Sequence, residues 1–414
     1  MKKIAFIDIM FHWPPIAGPW VDIKGVATQL KRRGFEVELF VPRYLWRGEI
    51  EGRLPFKVHQ IPFTTFSFNL VNLKKKMREA VEKFNPDYIF LGDGYFLKPY
   101  LIEAFSDLEI ILRVYAYEIF CPCNRLFIMD KREICESSFI LDQKECLKCV
   151  KHSVTFENLI RIFFNSRNKR FGWSCRWHEF INALAFLPGY PKRLKENLAR
   201  ADKIIVYNET TKEMVAPYNQ KISICPSGVD ARRFFPLPKH NPKRREKIIL
   251  MSGRTDDITK GFSVLQNACD RLRKRRSDFR LIVTSGSTND FGRNYISSPG
   301  WLSQDELPSL YQESDLCVVP SIWLEPFGIT AVEAMACGKP VIASKIGGLQ
   351  HIVDDGKTGF LVPPGDIDAL AQKIEILLDA PKMREEMGKE GRKKVEREYD
   401  WERVIEKHYL PIFS

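Results

Sequence analysis

Two glutamates, Glu325 and Glu333, lie eight positions apart in the most informative segment of this 414-residue chain. The apolar run Leu316–Pro320 predicts a buried parallel strand ahead of them, and Ile329–Cys337 predicts a short helix that ends before Gly338. Glu325 then lies in the turn between strand and helix, and Glu333 lies about one turn into the helix. Two carboxylates are therefore expected on either side of one helix start.

The start of this helix predicts an anion site. The first N–H groups of a helix have no partner within the helix, and here they belong to Gly328, Ile329 and Thr330. A diphosphate on these amides would leave Glu325 to reach a sugar and Glu333 to reach ribose hydroxyls. The order of groups therefore suits a nucleotide sugar.

Four motifs of the chain resemble those of the large family 4 of retaining GT-B glycosyltransferases, and they follow one another along the chain in the order expected for that family. The pair Glu325 and Glu333 resembles the E-x7-E signature of that family. Three further stretches match its domain-entry turn, its phosphate pair and its donor-side loop: Pro226–Asp230, Ser252–Gly261 with Arg254 and Lys260, and Gly347–Val362. The similarity is dense from about residue 200 to the end and thin before it.

This resemblance implies a retaining glycosyltransferase that moves a hexose from a nucleotide diphosphate sugar to a saccharide or lipid-linked acceptor. Surface polysaccharide or glycoconjugate synthesis is the expected setting, and no cofactor is required for catalysis. Glu325, Arg254 and Lys260 are the expected catalytic residues, because two cations can neutralise a diphosphate leaving group while a carboxylate supports the sugar. The expected donor-binding residues are Glu333, Phe327, Gly328, Ile329, Thr330 and Gly18.

The first half departs from the family pattern at two positions. Gly18 stands alone where the family commonly carries a Gly-Gly pair near the donor phosphates, and Tyr115 stands where members often place a histidine facing the sugar and acceptor. A tyrosine can hydrogen-bond sugar hydroxyls but is a poor base near neutral pH. Two alternatives therefore stay open: a nucleotide-sugar epimerase on the same architecture, and a catalytically degenerate nucleotide-sugar-binding protein.

Alternating apolar runs and helical patterns predict an α/β fold with parallel sheets. At this length two domains are the natural expectation, and the resemblance implies GT-B, with two doubly wound Rossmann-like domains facing a central cleft. The expected divisions are an N-terminal acceptor domain over 1–226, a linker over 227–246, a C-terminal donor domain over 247–398, and a tail over 399–414 that crosses back to the first domain.

A segment rich in cysteine and aromatic residues, at about 119–191, reads as an insertion on the first domain. It holds a C-x2-C pair, Cys146 and Cys149, and Cys123 and Cys135 would complete a tetrahedral structural zinc site. The competing interpretation is a set of unrelated small buried residues.

The formal net charge of +12 indicates anionic partners. No nucleic-acid-binding motif accompanies the charge, so nucleotide-sugar phosphates and an anionic membrane face are the expected partners rather than nucleic acid. The N-terminus enters directly into a strand and no apolar run reaches the roughly 20 residues of a membrane span. A cytoplasmic location with peripheral contact to the inner membrane face is the expectation.

Overall fold

The structure, a computed structural model, describes residues 1–15, 18–43, 50–64, 67–153, 183–237, 246–284 and 291–413. The chain divides into two compact units. One is formed by Met1–Cys225 with His408–Ser414, and the other by Pro226–Lys407.

A parallel sheet forms the centre of the first unit. In the part of this unit that the structure describes, its strands run in the order β3-β2-β1-β4-β5-β8-β9. They are β1 (Lys3–Ile7), β2 (Glu36–Arg43), β3 (Lys57–Pro62), β4 (Tyr88–Leu91), β5 (Glu109–Arg113), β8 (Lys203–Val206) and β9 (Ile222–Ile224). Strand β4 is buried along its whole length and β5 is buried after Glu109, as expected for a doubly wound sheet whose helices cover both faces.

The helices of the first unit follow the strands they connect. They are α1 (Gly18–Arg32), α2 (Leu70–Glu82), α3 (Lys98–Ala104), α4 (Gln143–Ser153), α5 (Tyr190–Arg200) and α6 (Glu209–Val215). Within the predicted insertion, the short strands β6 (Phe127–Ile128) and β7 (Glu133–Ile134) pair antiparallel. The sequence of the insertion also predicts helical segments over 157–165 and 177–187, which lie wholly or mostly outside the described residues.

The second unit is built on another parallel sheet, with the strand order β12-β11-β10-β13-β14-β15 over its described residues. The strands are β10 (Lys247–Met251), β11 (Phe279–Val283), β12 (Ile296–Ser297), β13 (Leu316–Val319), β14 (Val341–Ser344) and β15 (Gly359–Val362). The helices are α7 (Phe262–Arg273), α8 (Leu307–Glu313), α9 (Ile329–Ala336), α10 (Leu349–Ile352), α11 (Ile367–Asp379), α12 (Pro381–Glu398) and α13 (Trp401–Val404). In chain order this is the 3-2-1-4-5-6 arrangement of a dinucleotide-binding fold. The α/β expectation is confirmed for each unit.

The unit boundary differs from the predicted linker. Residues from Pro226 onward already belong to the second unit, where Val229 pairs with Asp400 and the buried Phe234 contacts Tyr311 at 6.1 Å between ring centroids. The segment reads as a linker because it is rich in proline and cations, but its backbone is held by the unit it enters. Part of it, residues 238–245, lies outside the described residues.

The chain returns to the first unit at His408, nine residues later than predicted. Tyr409 and Phe413 are buried in the first unit, and the Phe413 ring meets the Tyr88 ring edge-on at 5.3 Å. The prediction that the tail over 399–414 crosses back to the first domain implies that its aromatic residue Trp401 packs there too, but Trp401 instead covers Gly228 in the second unit. That part of the prediction was wrong, because Gly228 leaves room for an indole ring.

The basic run at residues 271–276 is largely neutralised within the second unit. Arg271 pairs with Asp368, Arg275 with Glu375, and Arg276 with Asp278 and Asp379. A charge run held by neighbouring carboxylates offers little to an anionic partner. Among the described residues, no helix is both long and apolar enough to cross a bilayer.

Candidate active site in the second unit

The predicted site lies where the strand order of the second sheet reverses. Strands β10 and β13 are hydrogen-bonded neighbours, and the chain moves outward from them in opposite directions. The loop after β10 carries Arg254 and Lys260, and the loop after β13 carries Glu325. The carboxyl ends of parallel strands at such a reversal form the crevice in which doubly wound sheets bind ligands.

Gly261 lets these two loops meet. Its φ is +75°, and a Cβ at this position would lie 1.8 Å from the carbonyl oxygen of Pro320. The Ile322 N–H donates to the Thr259 carbonyl across the same junction at 2.9 Å. Only glycine fits this approach, which explains the Lys-Gly pair noted in the sequence.

Lys260 and Glu325 form an ion pair at this junction. The Lys260 ammonium lies 2.8 Å from one carboxylate oxygen of Glu325 and 3.1 Å from the other. Both side chains are mostly shielded, with 25% of the lysine and 12% of the glutamate side chain exposed. The structure therefore joins two of the three predicted catalytic residues directly.

The Glu325 loop is fixed from a second side by the turn after β14. The Gly348 N–H donates to the Glu325 carbonyl at 2.6 Å. Gly347 has φ +53°, and a Cβ there would lie 2.3 Å from the same carbonyl oxygen. The Gly-Gly pair of the predicted donor-side loop thus supports Glu325 through its backbone.

Arg254 has a different partner from Lys260. Its guanidinium donates to the Asp257 carboxylate at 3.0 Å within the same loop. Asp257 also accepts from the Thr259 N–H and hydroxyl, at 3.1 and 2.7 Å, and so caps the short 3₁₀ turn that ends at Lys260. Asp257 therefore orients both cations, one by direct contact and one through the turn.

Helix α9 begins with amides that no side chain of the described residues caps. Gly328 precedes it with φ 112°, and Ile329 and Thr330 form its first turn. Phe327 turns its ring toward Tyr399, at 5.9 Å between centroids, so only its backbone borders the helix start. The helix start to which the anion site was assigned is thus uncapped and follows Glu325 closely in the chain, and anion binding there stays a prediction.

Glu333 is buried in α9, with 3% of its surface exposed. The hydroxyl of Tyr311, on α8, donates to its carboxylate at 2.8 Å. Burial raises the pKa of Glu333 to about 7, and the Tyr311 hydrogen bond and the charge of Arg233 oppose this rise. Buried and holding one hydrogen bond among the residues that the structure describes, this carboxylate has the capacity to accept further donors.

Gly18 and Tyr115 lie in the first unit. Gly18 is the exposed first residue of α1. Tyr115 is 3% exposed, with its ring 5.4 Å from the Arg113 guanidinium, and burial raises its pKa well above the usual range. A phenol held neutral in this way is no base, and its assignment to sugar binding stays a prediction.

The cysteine cluster differs from the predicted zinc set. The Cys123 thiol contacts the thiols of Cys121 and Cys149, which lowers the pKa of Cys121 to about 6 and of Cys149 to about 7. The Cys135 thiol points to the Ser137 carbonyl at 3.8 Å. In the described part of the chain no three His, Cys, Asp or Glu side chains are arranged to hold a metal ion. The structure therefore gives the zinc assignment no geometric support, and zinc stays a prediction.

Sequence reasoning missed four side chains that contact the predicted residues: Asp257, Tyr311, Ser321 and Trp323. Asp257 lies inside the quoted phosphate motif and Trp323 two residues before Glu325, so proximity was an available signal for these. The sequence offered no such signal for Tyr311, because its contact with Glu333 depends on how two helices pack.

Solved structures with the same architecture cover essentially the whole chain. Sucrose-phosphate synthase from Thermosynechococcus elongatus superposes with a TM-score of 0.69 at 21% identity, covering 100% of this chain and 99% of that one. Anabaena HepE, solved in complex with UDP-glucose, gives a TM-score of 0.66 at 15% identity, covering 100% of each chain. The fold is therefore that of the GT-B glycosyltransferases.

The sequence of the second unit adds a family assignment to that fold. Residues 235–394 match the family described as Glycosyl transferases group 1. The matched segment contains every predicted site residue of the second unit.

Two curated relatives illustrate the range of similar proteins. The D-inositol 3-phosphate glycosyltransferase of Arthrobacter sp. (strain FB24) is 34% identical over 202 residues, 43% of this chain and 47% of the relative. The MMP alpha-(1->4)-mannosyltransferase of Mycolicibacterium hassiacum is 31% identical over 240 residues, 55% of this chain and 56% of the relative. The chain thus spans about half the length of the curated relatives it matches.

Proposed function

We propose that this protein is a retaining hexosyltransferase that moves a hexose from a nucleotide diphosphate sugar to a saccharide or lipid-linked acceptor. The observation that carries the proposal is the Lys260–Glu325 pair beside the uncapped start of α9, inside the group 1 domain. The names of the relatives, and the UDP-glucose complex of HepE, support a sugar nucleotide as the donor.

The donor diphosphate would occupy the helix start. The amides of Gly328, Ile329 and Thr330 supply N–H donors and the positive end of the helix dipole. Lys260 and Arg254 supply two positive charges, which in this structure form ion pairs with Glu325 and Asp257 respectively. An anion with about two negative charges competes for these cations, so donor binding exchanges internal ion pairs for phosphate contacts.

Glu325 then becomes available to the sugar. In the transfer step the bond between C1 and the diphosphate oxygen breaks, and its electron pair stays on the diphosphate. The acceptor oxygen bonds to C1 from the same face, and its proton leaves with the diphosphate. Lys260 and Arg254 stabilise the charge on the leaving group while Glu325 supports the positive charge on the sugar ring.

Glu333 completes the donor site as the acceptor of ribose hydroxyls, and the Phe327 backbone borders the phosphates. Gly18 and Tyr115 are assigned to the first unit's part in donor and acceptor binding. The setting we infer is a cytoplasmic enzyme of surface polysaccharide or glycoconjugate synthesis that contacts the membrane peripherally, in keeping with its net charge of +12.

Donor turnover without acceptor tests this proposal. Purified protein is incubated with a panel of UDP-, GDP- and ADP-hexoses, and released nucleoside diphosphate is measured. Slow release from one donor is expected, with loss in Lys260→Ala but not in Lys382→Ala, an exposed lysine in the same unit. Absence of release from every donor, with and without simple glycoside acceptors, would contradict the proposal. Proton NMR of the product distinguishes retention from inversion at C1.

A further inference from the structure

Trp323 contacts both members of the Lys260–Glu325 pair. Its indole Nε1–H donates to Oε2 of Glu325 at 3.0 Å. The Lys260 ammonium lies 4.9 Å from the centre of the same indole ring. One side chain thus touches the carboxylate through its edge and the cation through its face.

The two oxygens of Glu325 have unequal surroundings. Oε2 accepts from Lys260 at 2.8 Å, from the Ser321 hydroxyl at 3.1 Å and from the Trp323 indole. Oε1 accepts from Lys260 at 3.1 Å, its one donor among the residues that the structure describes. Removing Lys260 therefore leaves Oε2 held by two neutral donors and leaves Oε1 open.

We propose that Trp323 is a positioning residue that anchors Oε2 of Glu325, so that Oε1 is the oxygen presented to the sugar once a diphosphate draws Lys260 away. This inference rests on the proposed function and assigns different roles to the two oxygens of one carboxylate. Ser321 assists as the second neutral donor. The indole ring also keeps Lys260 close while it changes partners, because a ring face attracts an ammonium ion.

The chemistry of tryptophan suits this role. Indole Nε1–H is a donor only, so it cannot compete with the carboxylate for sugar hydroxyls. Its aromatic ring restricts its conformations more than a long flexible donor such as lysine would. A carboxylate without these two anchors could rotate about its last bond and lose its alignment with the sugar ring.

Kinetics of Trp323→Phe test the role, because phenylalanine keeps an aromatic ring near Lys260 and removes the indole N–H donor. We expect kcat to fall by about 10- to 100-fold, the range for losing a hydrogen bond to a charged group. The donor KM should change by less than about threefold, since the phosphate contacts remain. Trp301→Phe, at a 45%-exposed tryptophan of the same unit, is the matched control and should keep wild-type kinetics.

A double-mutant cycle shows whether Trp323 acts through Glu325. In a Glu325→Ala background, Trp323→Phe should lower kcat no further, because its target is already missing. An equal further loss in that background would overturn the positioning role while leaving the glycosyltransferase proposal intact. An unchanged kcat in the single variant, or a loss confined to donor KM, would overturn it as well.

A binding measurement decides the same question without turnover. Eight tryptophans give eight indole N–H resonances in protein labelled with ¹⁵N-tryptophan, and the one missing in Trp323→Phe is assigned to Trp323. This resonance should shift in Glu325→Ala and should stay protected from solvent exchange when inorganic pyrophosphate is added. A resonance insensitive to Glu325→Ala would overturn the inference even if no donor proved to be a substrate.

Discussion

Replacing Glu333 by glutamine removes a titrating group from the interior of the second unit. The carboxylate is 3% exposed, and burial raises its pKa from 4.5 to about 7 in the folded protein. Glutamine has nearly the same shape and can still accept from Tyr311. The substitution therefore changes mainly how the stability of the unit depends on pH.

The sign follows from counting protons. Between pH 4.5 and about 7 the folded state holds a proton on Glu333 that the unfolded chain has released, so the free energy of unfolding falls as pH rises. The stabilisation is complete below pH 4.5 and is lost as pH rises through about 7. At about 1.4 kcal/mol per pH unit over this interval, the loss is about 3 kcal/mol, of which roughly 2–3 kcal/mol falls between pH 5 and pH 8.

Urea unfolding at pH 5 and pH 8 measures this difference. The wild type should lose roughly 2–3 kcal/mol more than Glu333→Gln between the two pH values, in the transition that reports the second unit. All other titrating groups cancel in the comparison, and Glu386→Gln, at an exposed glutamate of α12, should track the wild type. Parallel curves for wild type and Glu333→Gln would show that water reaches this carboxylate, and the reasoning from burial would be refuted.

Four further outcomes are expected. Lys260→Ala and Arg254→Ala should each lower kcat by about 100- to 1,000-fold with a normal circular dichroism spectrum, and near wild-type rates in both would place the diphosphate elsewhere. Glu333→Gln should raise donor KM about tenfold with little change in kcat, since it removes binding common to ground and transition states; an unchanged affinity would remove the ribose assignment. Elemental analysis should find about one zinc per chain. Protein that contains no metal and is as heat-stable as zinc-supplemented protein would contradict this prediction. Deleting residues 408–414 should lower the rate of sugar transfer and the melting temperature of the first unit, while donor binding survives. Loss of donor binding together with transfer would refute the prediction that the tail supports only the first unit.

Four strands of the second unit, β10, β11, β13 and β14, were readable from sequence because each is a short, mostly apolar run. The predicted strand Leu316–Pro320 extends only one residue beyond the observed strand. Strand β3 and helix α12 are two of the elements that escaped this signal. Strand β3, Lys57–Pro62, lies at the edge of its sheet with its apolar residues interrupted by polar ones, and α12, Pro381–Glu398, is highly charged, so neither shows a continuous apolar pattern.

The tail shows where local pattern misleads. Its aromatic residues read as one amphipathic segment, yet Trp401 packs in the second unit and Tyr409 in the first. Which surface an aromatic residue covers depends on the shape of a distant partner. Here Gly228 makes room for the indole, since a Cβ at that position would lie 2.5 Å from its ring.

The sequence by itself determined the chemical groups of the site and their order along the chain. The strand–loop–helix pattern placed Glu325 in a turn, Glu333 in the helix and the cations after a preceding strand, because these depend only on local periodicity. Only the tertiary structure decided which groups meet. The close approach of two loops at Gly261 brings Lys260 into contact with Glu325. The packing of helices places the Tyr311 hydroxyl against the Glu333 carboxylate, and the Trp323 side chain is oriented so that its indole N–H contacts one oxygen of Glu325. These contacts arise from the close approach of segments 22 to 65 residues apart and from a side-chain orientation that spacing does not encode.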